Sequence, residues 1–139
     1  MIEEENCIFC KFAKGIINPI KIYEDELCFV FMDKFPLTKG QTLVVGKKHV
    51  DYVFDLEDEL YQHLFKVSKK IVKATDKALS TERCWLIVQG MQVPHNHIKI
   101  LPVYKEIHIN IEEGSGNEAS DQDLQEIANK IKKELEKNL

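Results

Sequence analysis

Two short stretches carry residue types that do chemistry. In "VPHNHIKILP", residues 93–102, His95, His97 and Lys99 alternate with Asn96, Ile98 and Ile100. Strand side chains alternate faces, so the two histidines and the lysine share one face, with like-facing neighbours about 6.5–7 Å apart. Imidazole titrates near neutral pH, so a neutral ring nitrogen there can serve as a nucleophile or a metal ligand. Pro94 has no N–H to give to a ladder and suits the start or the edge of a sheet strand. In "NCIFC", residues 6–10, Cys7 and Cys10 have the C-x-x-C spacing that brackets one tetrahedral zinc, which needs two further ligands. A redox reading of the pair wants a preceding strand and a βαβ setting, and neither is evident. The plainer alternative is a pair of reduced, partly buried thiols.

These residues need elements to hold them. Residues 7–15 suit a short helix ending at Gly15. "IKIYE" and "CFVFMD" read as two strands with "DE" at the turn between them. "FPLTKG" is a loop, and "QTLVVGKKHV" a third strand. Asp55 with Asp58 resembles a capping box, and Leu60, Leu64, Val67, Ile71 and Ala74 then recur at helical spacing, so a long helix is expected from Leu56 to about Leu79. "CWLIVQG" is a nearly continuous apolar run, which places that strand centrally in a sheet, and "HNHIKILPV" is a fifth strand. "EIHINIEE" is strand-like. Residues 112–120 form a polar loop, followed by an amphipathic helix from Asp121 to about Lys137. The helices fall outside the runs of strands, which favours an α+β fold: a five-stranded antiparallel sheet with a short N-terminal, a long and a C-terminal helix. An apolar edge is expected to remain for self-association.

The chain has 139 residues, 44% of them apolar and 30% charged, with a net charge of −4. That suits a soluble domain with a proper core and disfavours nucleic acid as a partner. No apolar run reaches the roughly 18 residues of a spanning helix. The start, "MIEEENC", is acidic and unlike a secretion signal, so the expected location is cytoplasmic. Cys28 and Cys84 sit in apolar runs as ordinary thiols. His63 and His108 have no obvious partners.

In order along the chain, "CIFC", "KIYEDELCFVFMD", "TKGQTLVVGKKHV" and "VPHNHIKILP" resemble the histidine triad (HIT) superfamily, over about residues 5–103. The family signature is histidine, apolar, histidine, apolar, histidine, then two apolar residues. Here the third histidine is Lys99, Asn96 stands at an apolar position, and Gln92 falls one place later than in many relatives. These departures are expected on the phosphate-handling side. The resemblance implies a HIT-like homodimer whose sheets join, with residues 1–111 as the nucleotide-binding unit. Residues 112–139 would pack on that unit or on the partner subunit. It implies a purine nucleotide or nucleotide conjugate as ligand. His97 would attack the α-phosphate and form a nucleotidyl-histidine, with the Lys99 ammonium facing the phosphate. Asp33 would accept from the ribose hydroxyls. Phe9, Phe31 and Met32, with Ile17 nearby, would floor the base, and Gln92 would reach phosphate. Cys7, Cys10, His49 and His95 would bind a structural Zn2+, with no organic cofactor. The implied activity is that of a nucleoside phosphoramidase or dinucleoside polyphosphate hydrolase. The alternative is a nucleotide-binding protein with little turnover, because Lys99 cannot shuttle a proton as histidine can.

Overall fold

The apolar, β-branched and aromatic runs that read as strands in the sequence are realised as one antiparallel sheet. The computed structural model describes residues 3–137; residues 1–2 and 138–139, the outer ends of the two expected units, lie outside the described residues. Helix α1 (Ile8–Ala13) is followed by Gly15 at φ 74°, a left-handed conformation that glycine adopts at little cost. Strands β1 (Lys21–Glu24) and β2 (Cys28–Met32) form a hairpin, and β3 (Thr42–Gly46) pairs with β2. Helix α2 (Asp58–Leu79) then leads to β4 (Arg83–Ile87), β5 (His97–Val103) and α3 (Asp121–Lys137). The sheet order is β1-β2-β3-β5-β4, antiparallel throughout.

The pleat sorts side chains onto two layers. Val30, Met32, Val44, Ile98 and Ile100 face the apolar stripes of α2 and α3, including Leu64, Ile71, Ala128 and Ile131. Phe29, Phe31, Leu43 and Val45 face the other way, against Cys7, Phe9 and Cys10. Burying each large side chain contributes about 1.5–3 kcal/mol. The C-terminal helix packs on α2 and β1 within this same core. Among the described residues, no helix is long and apolar enough to cross a membrane.

Several expectations are corrected. Among the described residues β4 is an edge strand, paired with β5 alone, and Trp85 and Leu86 are 38% and 41% exposed. An apolar run marks burial without saying in which assembly. Strand β5 is internal and begins at His97, because the His95 and Asn96 N–H groups donate to Val93 and Val50 carbonyls instead of a ladder. Asp55 ends a 3-10 turn, Val53–Asp55, that buries Val53; the residue before α2 is Glu57, with no side-chain cap. The segment around His108 is not a strand, and His108 is exposed.

His63 has a partner after all. Its Nε2 lies 2.6 Å from Asp25 Oδ2, which also accepts from the Tyr23 hydroxyl at 2.7 Å. Asp25 Oδ1 accepts from the Leu27 and Cys28 N–H groups. Burial alone would raise the Asp25 carboxyl, but these donors hold it well below the usual carboxylate range. The β1–β2 turn is thereby stitched to α2.

Candidate functional site

Four residues from three separate segments converge beside α1. Cys7 precedes the helix, Cys10 lies in its first turn, His49 follows β3 and His95 precedes β5. His95 Nδ1 is 3.3 Å from Cys7 Sγ, 3.5 Å from Cys10 Sγ and 3.3 Å from His49 Nδ1, and Cys10 Sγ is 3.1 Å from His49 Nδ1. Tetrahedral zinc with bonds of roughly 2.3 Å to sulfur and 2.05 Å to nitrogen separates its ligands by about 3.5 Å for S···N and about 3.3 Å for N···N. The observed spacings lie within about 0.4 Å of such a tetrahedron's edges. His95 Nε2 donates to the Gly46 carbonyl at 2.6 Å, which leaves Nδ1 with its lone pair toward the thiols. Burial, and then the neighbouring Cys7, push the Cys10 thiol up to about 12. A divalent cation reverses that preference, since bound thiols ionise. The donor set therefore fits a structural Zn2+, with no coordination position left open.

A second group, Asp25, Cys28 and His63, also lies close together. It fails the same comparison. The 2.6 Å between Asp25 and His63 is a hydrogen bond, shorter than the edge between two ligands of one ion, roughly 3.3 Å.

Asn96 explains how His49 is held. Its side chain is fully buried on the face opposite the histidines. Oδ1 accepts from the Gly46 N–H at 3.1 Å, and Nδ2 donates to the Lys48 and Val50 carbonyls, each at 2.8 Å. A Cβ at position 46 would run into this carboxamide, so glycine is required there. The polar departure from the family signature thus clips the His49 loop; it does not face phosphate.

His97 and Lys99 lie on the same face as His95 and open onto a cleft of about 410 Å3, within the roughly 300–1,000 Å3 of ligand pockets. Ile8, Phe9, Phe12 and Phe31 make part of its lining apolar, and Asp33, Lys34, Gln92, Lys99 and Ser115 are its other polar residues. The Phe9 ring stands edge-on to His97, centroids 5.2 Å apart. His97 Nδ1 donates to the His95 carbonyl at 2.6 Å. Burial holds the His97 imidazole below its ordinary pKa; that hydrogen bond opposes the shift and the Lys99 charge reinforces it. Lys99 is 7% exposed, and its ammonium donates to the Gly114 carbonyl at 3.3 Å. Two larger clefts, of about 550 and 580 Å3, gather no histidine or cysteine.

Phe9, Phe31, Asp33 and Gln92 line the His97 cleft. Met32 does not: strand alternation turns it into the helix-side core, and Ile17 lines a neighbouring cleft. Asp33 Oδ1 accepts from the Phe35 N–H at 2.9 Å and Oδ2 from Gln41 Nε2 at 2.7 Å. Gln41, buried and bound through Oε1 to the Leu37 N–H, was not singled out by sequence reasoning. A lone glutamine at the start of a strand carries no signal of such a clamp.

A HIT domain family model matches residues 14–106. Protein hit of Bacillus subtilis is 39% identical over 105 residues, 72% of this chain and 72% of that protein. The adenosine 5'-monophosphoramidase hnt1 of Schizosaccharomyces pombe is 39% identical over 69 residues, 50% of this chain and 52% of that protein. A Hit-like protein from Bartonella henselae, solved with an unknown ligand, superposes with a TM-score of 0.86 at 28% identity, covering 96% of this chain and 99% of that one. A zinc-bound histidine triad family protein from Mycobacterium smegmatis shares the fold, with a TM-score of 0.85 at 22% identity over 98% of this chain and 97% of that one.

Proposed function

This chain belongs to the HIT domain family, and from that premise we propose that it is a nucleotide hydrolase or nucleotidyl transferase acting at the α-phosphate of a purine nucleotide conjugate through His97. One observation carries the reading, the 2.6 Å bond from His97 Nδ1 to the His95 carbonyl. A carbonyl only accepts, so Nδ1 holds the ring proton and Nε2 keeps its lone pair. Nε2 attacks the α-phosphorus; the P–N bond forms as the bond to the leaving group breaks, and the leaving group departs with its electron pair and takes up a proton. Water then attacks phosphorus, the P–N bond breaks, and the nucleoside monophosphate is released. The His95 carbonyl stabilises the ring while it is phosphorylated and positively charged. Lys99 offsets phosphate charge. Phe9 and Phe31 floor the base and Asp33 accepts from ribose.

The name of the S. pombe relative, a monophosphoramidase, supports a phosphoramidate substrate; a dinucleoside polyphosphate is the other substrate class in view. Cys7, Cys10, His49 and His95 would hold Zn2+, which ties α1 to the sheet and takes no part in the displacement. The exposed Trp85 and Leu86 on the β4 edge support a homodimer. Light scattering tests this, with two copies expected for the parent protein and one for Trp85→Glu.

A second reading, nucleotide binding with little turnover, is favoured by Lys99, which stands where the family signature has its third histidine. Incubation with adenosine 5'-phosphoramidate, followed by AMP assay and intact-mass analysis, separates the two. AMP release and a nucleotidyl adduct, both absent in His97→Ala, are expected. Tight binding of AMP without release or adduct would establish the second reading instead.

A further inference from the structure

Beyond β5 the chain turns back over the Lys99 side of the cleft, outside the residues matched to the family model. This segment, residues 109–119, is held at four points. Ile109 is buried. The Gly114 carbonyl accepts from the Lys99 ammonium at 3.3 Å. The Gly116 N–H donates to the Phe35 carbonyl at 2.9 Å, and the Ala119 N–H to the Lys34 carbonyl at 2.8 Å. Between the anchors Ser115 lines the cleft, and a Cβ at position 114 would lie 2.9 Å from Gln92 Nε2. The segment carries Glu112, Glu113 and Glu118 and no lysine or arginine.

Phe9, Phe12 and Phe31, packed on one another, suit a base, so phosphate and leaving group belong beside His97 and Lys99, where this segment sits. We propose that residues 109–119 are a strap that closes the leaving-group side, with Lys99 as its latch, and that they restrict the substrate to nucleoside 5'-phosphates bearing a compact, uncharged or cationic leaving group such as an amine. A second nucleotide joined through phosphates meets both a backbone wall and the negative charge of the exposed Glu112 and Glu113, Glu118 being paired with Lys34 at 3.6 Å. Lys99, on this account, is a positioning residue for the strap as well as a counter-charge for phosphate. The inference rests on the catalytic reading above for the orientation of the substrate.

Binding reads the strap and turnover reads the chemistry. In the His97→Ala background, where no turnover intervenes, AMP is expected to bind at least about tenfold more tightly than diadenosine tetraphosphate. A Cβ at position 116 would run into the Pro36 carbonyl, so Gly116→Ala lifts the strap. That variant is expected to narrow the gap about tenfold and to leave AMP affinity within about threefold. Glu112→Lys combined with Glu113→Lys changes only exposed side chains and is expected to narrow the same gap. Equal binding of the two ligands to the strapped protein, or a gap that neither variant moves, overturns the proposal. A binding gap that responds as expected, in a protein whose His97 form releases no AMP from adenosine 5'-phosphoramidate, upholds the strap and overturns the catalytic reading.

Discussion

The carbonyl oxygen of His95 accepts the Nδ1–H of His97 at 2.6 Å, so the residue whose ring meets the thiols also orients the ring that meets the cleft. Three successive residues divide the work. The side chain of His95 faces Cys7, Cys10 and His49, Asn96 clips the loop that carries His49, and His97 faces the cleft. A displacement of His95 is therefore felt at His97 through one hydrogen bond.

The acid limb of kcat/KM is expected to lie below pH 6.5, roughly the ordinary histidine value. Burial and then the Lys99 charge hold the His97 imidazole below its ordinary pKa, the neutral ring is the nucleophile, and activity is lost as pH falls through that lowered value. Lys99→Met is expected to raise the limb, because a cation has been removed. His97→Ala is expected to lower kcat by about a thousandfold or more. A limb at or above the ordinary value in the parent enzyme would contradict the assignment. The same shift makes the folded chain bind fewer protons than the unfolded one, so stability falls as pH drops from about 6.5.

Protein purified without chelator is expected to carry one zinc per chain, counted by elemental analysis. Cys7→Ser is expected to lose most of it. Chelation is expected to lower Tm by about 5 °C or more, because a ligand bound only to the folded state stabilises it. A metal content unchanged by Cys7→Ser would remove Cys7 from the ligand set.

Asn96→Leu restores the apolar residue of the family signature and is nevertheless expected to destabilise the fold by about 1–3 kcal/mol in urea titrations. It strands the Gly46 N–H and takes one of two donors from each of the Lys48 and Val50 carbonyls, which keep the Val50 and Asn96 backbone N–H groups. Zinc affinity is expected to fall about 10–100-fold as His49 loses its support. A loss of less than about 1 kcal/mol would mean the loop holds itself.

The parts legible in the sequence are those written in local patterns. Runs of β-branched and aromatic residues mark β2 and β3, two-residue alternation marks most of β5, and spacing of three or four marks α2 and α3. The C-x-x-C pair announces its own chemistry. What escaped reading depends on partners far along the chain. Asn96 looks like a polar intruder until its contacts with residues 46–50 are seen, and Gln41 acquires meaning only through Asp33. His63 and Asp25, 38 positions apart, pair across the helix–hairpin junction. The apolar character of β4 was plain, but whether such a strand is central or at an edge follows from chain order in the sheet, which no local pattern encodes.

Asp25→Asn is expected to cost about 1–3 kcal/mol at pH 7. The donors around Asp25 lower its folded pKa below the unfolded value. Its contribution is therefore present above pH 4, roughly the unfolded value, and is lost as pH falls further toward the folded one. The gap between the parent and Asp25→Asn in urea midpoint should close on acidification. A gap independent of pH would point to packing alone.

Helix α1 has only six residues, and a helix so short does not persist in water without tertiary support. Phe9 lies against Phe31 and His97, while the cysteines at either side of it face the histidine pair. Zinc and nucleotide, bound as proposed, would lean on this one brief element, and by thermodynamic linkage each is expected to raise affinity for the other. Amide hydrogen exchange across residues 8–13 should run ahead of that in α2 in the ligand-free protein and slow in a single step when either is added.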